Sequence, residues 1–285
     1  MTTLVLGIES SCDETAAAVV RAGRDVLSNI VHSQVQLHSK HRGVVPEIAS
    51  RSHTTRILPV IQAALADANV QPTELSAVAV TNQPGMVGCL LVGTSAAKAL
   101  SWLYQLPLIG VDHIQAHIHA GFMAEPEMEL PGLALVASGG HTALYLVHGP
   151  GATQRIGTTR DDAAGEALDK GAAMLGLPYP GGPSIQEAAR NGKADAVGLP
   201  RPLKDKGLDF SFSGIKTALL YHLRGNGVVL PMPDLTQAEV CDLAASYQAA
   251  VVDCLVTKLR RAVKAHGTRS LNIGGGVARN ELLRQ

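Results

Sequence analysis

The 285-residue sequence carries no net charge, since 24 lysines and arginines stand against 24 aspartates and glutamates. No long basic block occurs, so charge alone implies no polyanion partner. The cluster Arg260, Arg261, Lys264, His266 and Arg269 reads as a solvated helix face. Cysteine is sparse as well. Cys12, Cys89, Cys241 and Cys254 form no C-x-x-C pair, which excludes a zinc ribbon or disulfide framework and fits reduced thiols. No apolar run approaches the roughly 20 residues that span a bilayer, and Met1-Thr2-Thr3 lacks the charged start of a signal peptide. A soluble, cytoplasmic protein with no membrane partner is expected. What is present is a 46% hydrophobic, 17% charged chain, long enough to bury a large core in two lobes.

Leu4 to Val20 reads as strand, polar turn, strand, with the turn Glu9-Ser10-Ser11-Cys12-Asp13-Glu14 rich in oxygen donors. Leu133 to Val147 repeats that plan around Ser138-Gly139-Gly140-His141. A repeat about 130 residues apart predicts two related lobes with a ligand cleft between them. Between the hairpins, a helix at Glu47 to Ala66, a strand at Leu75 to Thr81, a turn at Asn82 to Gly85 and an apolar helix at Val87 to Tyr104 give α/β patterning. The last of these is expected to pack internally, with a dimer face as the alternative. Glu125 to Pro131 reads as a linker, placing lobes at 1–130 and 131–285. Thr236 and Glu239 form a capping box for a long helix striped by Val240, Leu243, Ala244, Tyr247, Val251, Leu255, Leu259 and Val263.

His113 and His117 carry the sharpest chemical signal. Spaced i,i+4, two imidazoles on a helix point within roughly 40° of each other one turn apart, so both can reach one cation. They are read as ligands of a divalent metal, iron in preference to zinc if positions stay open for substrate oxygens. Asp112 projects about 100° away on such a helix, and no third ligand is evident. Asp13 and Glu14 are adjacent carboxylates that can orient a metal-bound group, act as bases or cap a hairpin, with catalysis favoured. Ser138 to His141 and Gly274-Gly275-Gly276 are turns that bring backbone amides close to a phosphate, the latter expected to open a helix. With the first hairpin turn, three such loops suggest a nucleotide. Glu166, Asp169 and Lys170 lie on adjacent helical turns and can address ribose hydroxyls, a metal or phosphate, or simply face solvent. Tyr179-Pro180-Gly181-Gly182-Pro183 reads as a rigid turn, and Phe210 to Thr217 as hydroxyls and a lysine before a helix.

Gly7 to Thr15, Gly43 to Arg51, Lys98 to His117, Gly165 to Lys170, Tyr179 to Pro183, Phe210 to Thr217 and Gly274 to Asn280, in this order, resemble the bacterial tRNA N6-adenosine threonylcarbamoyltransferases over essentially the whole chain. The resemblance implies a two-lobed fold of the actin, sugar-kinase and Hsp70 ATPase type. It implies transfer of a threonylcarbamoyl group from threonylcarbamoyl-adenylate to N6 of the adenosine 3′ of the anticodon, in tRNAs reading codons that begin with adenine, with release of AMP. On that analogy His113 and His117 bind the metal, usually iron(II). Val136, Ala137, Ser138, Gly139, Gly140, Asp169, Gly182 and Asn280 hold the adenylate, and Asp13 and Glu14 lie near the reacting carbonyl. The implied partners are tRNA, an inactive paralogue of the same fold forming a heterodimer, a small P-loop ATPase and the synthase that makes the adenylate.

The resemblance also implies a third metal ligand, an aspartate beyond Gln285, so a truncated chain with impaired metal binding is expected. A nucleotide-binding scaffold that has lost catalysis is the alternative reading. A metalloendopeptidase is disfavoured, because zinc proteases of that kind use His-Glu-x-x-His and position 114 is isoleucine.

Overall fold

A computed structural model describes residues 2–41, 43–124, 128–225 and 233–285. The chain divides into two compact units, Met1–Ala116 and His117–Gln285. In the first, β1 (Leu4–Glu9), β2 (Glu14–Arg21) and β3 (Asp25–Ser33) form an antiparallel meander. The short α1 (Val35–His38) and long α2 (Pro46–Asp67) lead to β4 (Ala77–Gln83), α3 (Val87–Tyr104) and β5 (Leu108–Asp112). The sheet order is β3-β2-β1-β4-β5, with β4 parallel to both neighbours. Thr15, Ala17 and Val19 alternate inward along β2, as a strand with one covered face requires. Against them α2 lays His53, Ile57, Val60, Ile61 and Ala64, spaced at three and four residues.

The second unit repeats the topology. Strands β6 (Gly132–Ala137), β7 (Thr142–Gly149) and β8 (Ala152–Thr158) form a meander, and β9 (Leu271–Gly274) adds parallel to β6, giving β8-β7-β6-β9. That is the order β3-β2-β1-β4 again, so the duplication expected from the two hairpins exists as chain topology. Helices α5 (Ala164–Met174), α6 (Gly181–Ala189), α7 (Ser213–Arg224) and α8 (Gln237–His266) supply the core with Leu168, Ile185, Leu219, Tyr247 and Leu255. Every residue of β6 is buried, which is why it reads as a continuous apolar run. The α8 capping box forms as expected, Glu239 N–H donating to Thr236 Oγ1 at 3.3 Å and Thr236 N–H to Glu239 Oε2 at 2.8 Å. Its stripe runs through Leu243, Tyr247, Val251, Leu255 and Leu259, whereas Val263 is exposed.

Several expectations change. The division falls inside α4 (His113–Ala124), not near residue 130. The later part of α4 is fixed to β9, where Asn272 Nδ2 donates to the Ile118 carbonyl at 3.1 Å and Gly121 makes room for the Asn272 carboxamide. Residues 125–127 of the expected linker lie outside the described residues. Tyr179 to Pro183 is not an independent turn, because Gly181 begins α6. A proline at the third helical position removes a donor that has no intrahelical partner anyway. The glycine run after β9 opens a short 3-10 turn, Gly276–Arg279, and only then α9 (Glu281–Arg284). Asn82 and Gln83 extend β4.

Two helices, α3 and α8, are long and apolar enough to cross a membrane by length and composition, correcting the expectation of no such run. Half of the 30 residues of α8 are buried in the second unit's core. Contrary to expectation, α3 buries only Cys89, Gly93 and Ala97 among its residues, while Val87, Leu91, Trp102 and Leu103 are exposed. Its small residues permit close packing on one side and leave the large ones outside.

Candidate functional site

At the carboxyl end of β1, Glu9 is surrounded by donors. Ser11 N–H donates to Glu9 Oε1, and Thr81 Oγ1 donates to Oε2 at 2.7 Å. His113 Nδ1 lies 3.0 Å from the same Oε2 and 3.2 Å from Ser11 Oγ. Burial pushes the Glu9 carboxyl up, but the hydrogen bond and charge of His113 and the Ser11 donors outweigh it and hold the group at about 2. An ionised carboxylate only accepts, so the Nδ1 of His113 carries a proton toward Glu9, and Nε2 is the ring nitrogen that faces away from it. Histidines that ligate metals pass their other N–H to a carboxylate in this way. Asp112 is the cap of α4, its Oδ1 accepting from Ile114 N–H at 2.8 Å and Gln115 N–H at 3.0 Å, which commits that oxygen to the helix. His117 follows one turn along the same helix. Among the described residues, no group of three His, Cys, Asp or Glu side chains assembles as a metal cage.

The turn after Glu9 is held from beneath by buried histidines. His53 is fully buried, with Nε2 3.0 Å from the Cys12 carbonyl and Nδ1 2.8 Å from Thr15 Oγ1. A carbonyl can only accept, so the proton is on Nε2 and Nδ1 accepts from Thr15. His38 repeats this pattern, with Nε2 3.2 Å from Gln34 Oε1 and Nδ1 accepting from Val45 N–H at 3.3 Å. Burial pushes both imidazoles below their ordinary value. The turn they support presents Asp13, half-buried, and Glu14, exposed at the start of β2. Ser11 of this turn bonds His113 Nδ1 at 3.2 Å, which ties the turn that carries Asp13 and Glu14 to the start of α4. Burial, reinforced by the Asp13 charge, pushes the Cys12 thiol up to about 11, which leaves it protonated and unreactive at neutral pH.

In the second unit the Ser138 turn and the Gly275 turn follow the carboxyl ends of β6 and β9, the end at which open α/β sheets bind ligands. Val136 and Ala137 are core residues, 1% and 0% exposed, so they can offer a ligand only backbone. Ser138 closes the hairpin turn through its N–H to the His141 carbonyl at 2.8 Å, and its Oγ accepts from His141 N–H at 3.1 Å. Nothing lies within 4 Å of where a Cβ on Gly139 or Gly140 would be. The N-terminus of α5 abuts this turn, Gly165 N–H donating to the Ser138 carbonyl at 3.1 Å. Gly275, at φ +91°, passes so close to Ala137 that an added Cβ would lie 2.4 Å from its carbonyl oxygen. Asp169 Oδ1 accepts Gly181 N–H at 2.6 Å, tying α5 to the start of α6 beside Gly182.

Other candidates are otherwise engaged. The Asn280 carboxamide is buried, donating to Gln248 Oε1 at 3.1 Å and capping α9 through Leu283 N–H at 3.2 Å. Lys170 pairs with Asp162 and Glu166, each at 2.8 Å, and Lys216 takes the other Asp162 oxygen at 2.8 Å. Asp161 gathers Ser211, Phe212 N–H and Ser213 at the start of α7. Glu9, His38 and His53 were missed in the sequence. A lone carboxylate ending an apolar strand was the available signal for Glu9, whereas the histidines carried none.

The duplicated meander-plus-parallel-strand topology defines the actin, sugar-kinase and Hsp70-like ATPase class. In fold the chain resembles full-length HypF, with a TM-score of 0.62 at 12% identity over 99% of this chain and 49% of that one. It also resembles component A of the (R)-2-hydroxyglutaryl-CoA dehydratase of Acidaminococcus fermentans, with a TM-score of 0.57 at 12% identity over 100% of this chain and 86% of that one. Within this class, the chain belongs to the TsaD family, tRNA N6-adenosine threonylcarbamoyltransferase, whose model matches residues 25–285. It is 54% identical over 282 residues to the tRNA N6-adenosine threonylcarbamoyltransferase of Symbiobacterium thermophilum, covering 99% of this chain and 81% of that relative. The corresponding figures for the protein of that name from Anaeromyxobacter dehalogenans are 51% over 283 residues, 99% and 83%.

Proposed function

We propose that this enzyme transfers the threonylcarbamoyl group of threonylcarbamoyl-adenylate to N6 of the adenosine 3′ of the anticodon, in tRNAs reading codons that begin with adenine. Family membership supports the reaction class, and the Glu9–His113 pair beside the Asp13 turn is the observation that carries the site assignment. In the reaction the N6 nitrogen attacks the carbamoyl carbonyl carbon, the bond from that carbon to the phosphate oxygen breaks, and AMP leaves. The proton lost from N6 passes to the Asp13 carboxylate, with Glu14 beside it at the start of β2. The amides of Gly139 and Gly140 face the adenylate phosphate, while Asp169 and Gly182 fix its nucleoside and Asn280, bonded to Gln248 and capping α9, acts only by shaping the adjoining backbone. A divalent ion, iron(II) in preference to zinc(II), fits His113 and His117 with Glu9 behind, and would supply Lewis acidity at the carbonyl. Glu9 holds the imidazole of His113 in the tautomer such an ion requires.

The partners in this reading are tRNA, the paralogue, the P-loop ATPase and the adenylate synthase, and the compartment is the cytoplasm, where the four free cysteines stay reduced. The exposed large side chains of α3, Val87, Leu91 and Trp102, suit the paralogue, since apolar surface left outside a unit's own core is available to a protein partner. The reaction is tested by supplying the chain with its partner proteins, unmodified tRNA and adenylate labelled in its threonine. Label entering tRNA in step with AMP release is expected. AMP release without label in tRNA would replace the transferase reading with simple hydrolysis.

A further inference from the structure

The second unit concentrates positive charge away from the loops described above. The segment Arg201-Pro202-Leu203-Lys204-Asp205-Lys206-Gly207 is fastened to α8 by two cations. Lys258 is 1% exposed, and its Nζ donates to the carbonyls of Leu203, Lys206 and Gly207 at 2.5, 2.6 and 3.1 Å. Arg261 donates to the carbonyls of Gly207 and Lys204 at 2.8 and 2.7 Å. Neutral carbonyls satisfy these donors without cancelling their charge. Lys204 and Lys206 stand exposed on the turn, and Lys264 is exposed one helical turn beyond Arg261. Lys206 and Arg160 line a cavity of about 120 Å³ with Leu203, Gly207 and Asp209.

The nearby carboxylates are largely committed. Asp209 holds Arg160 at 2.9 Å and the Thr158 N–H at 3.0 Å, and Asp253 holds Arg201 at 2.7 Å. Set against Lys204, Lys206, Lys258, Arg261 and Lys264, only Asp205 remains on this segment, although the chain as a whole is neutral. No aromatic side chain occurs in 201–207 or 258–264 to stack a base.

We propose that the 203–207 turn and the adjoining face of α8 grip the ribose-phosphate backbone of the tRNA, positioning it without reading its sequence. This rests on the transferase reading above. Cations without stacking partners suit phosphates rather than bases, and anchoring the turn to α8 preorganises Lys204 and Lys206.

The test is a titration of fluorescent unmodified tRNA into the full chain with its partner proteins, across a series of salt concentrations. Lys204→Glu/Lys206→Glu is expected to weaken binding about tenfold or more, with melting temperature and nucleotide affinity unchanged. The milder Lys204→Gln/Lys206→Gln is expected to flatten the plot of log affinity against log salt by about 0.7–0.9 for each phosphate no longer neutralised. In turnover, KM for tRNA should rise with kcat unchanged. Wild-type affinity and salt slope in both variants overturn the proposal, leave the transferase reading intact and point instead to an acidic protein surface. No tRNA binding by the wild-type assembly overturns the transferase reading itself.

Discussion

Gly181 is where the packing of α5 on α6 can be tested by one methyl group. A Cβ at this position would lie 2.4 Å from Asp169 Cα, 2.7 Å from the Leu168 carbonyl oxygen and 2.8 Å from Asp169 N. All three are backbone atoms, so no side chain can swing aside, and α6 must retreat from α5 by about 1 Å to reach ordinary van der Waals separation. Overpacking of this kind costs about 1–3 kcal/mol. For a unit of this size, that lowers the melting temperature by about 2–4 °C per kcal/mol. The retreat also stretches the 2.6 Å hydrogen bond from Gly181 N–H to Asp169, so nucleotide affinity should fall together with stability. Gly182→Ala is the control, because its Cβ would meet only Leu168 Cδ1 at 3.8 Å. That variant should melt like the wild type. Thermal melts and AMP titrations of both variants provide the assay. A Gly181→Ala protein with wild-type melting and wild-type AMP affinity would refute the reasoning.

Three further expectations concern the first unit. Replacing Glu9 with Gln removes the ionised acceptor behind His113 and should weaken iron(II) or zinc(II) binding by about 10–100-fold; calorimetric titration giving unchanged affinity would dissolve the link between Glu9 and the metal. Burial pushes His38 and His53 below their usual 6.5, and the carboxylates of Glu9 and Asp13 near His53 do not offset it. The unfolded chain therefore takes up protons below 6.5 that the folded chain refuses, so this stability is complete above 6.5 and is lost as pH falls through that value toward the folded pKa values. Melting temperature should decline over that window and decline less in a His38→Gln/His53→Gln variant; parallel curves would contradict the assignment. Leu91 is 58% exposed on α3, so Leu91→Asp should keep the wild-type melting temperature and abolish association with the paralogue, as read by analytical ultracentrifugation. Intact association would move the docking face elsewhere.

What the sequence made legible was local. The strand, turn and strand of Leu4 to Val20, the Thr236–Glu239 capping box and the helix carrying His113 and His117 all rest on neighbours within a few residues, and each appears where expected. Topological duplication was legible because both hairpins carry the same order of apolar run and small polar turn. Glu9 was not, since its partner His113 lies 104 positions away and only the parallel pairing of β1, β4 and β5 brings them together. The same holds for Thr15 and His53, 38 positions apart. The exposure of α3 escaped notice because a small-residue apolar helix has the same composition whether it is covered on one side or on all sides. Asn280 illustrates the opposite difficulty: its match to the family motif suggested a ligand contact, while its carboxamide already caps α9 and bonds Gln248.

The most direct measurement is mass spectrometry of nucleosides from tRNA incubated with threonylcarbamoyl-adenylate, the partner proteins and either this chain or its His113→Ala variant. The account predicts threonylcarbamoyladenosine with the unaltered chain and its loss in the variant. Equal product from both would contradict the role given to the Glu9–His113 pair, and no product from the folded, unaltered chain would contradict the transferase assignment.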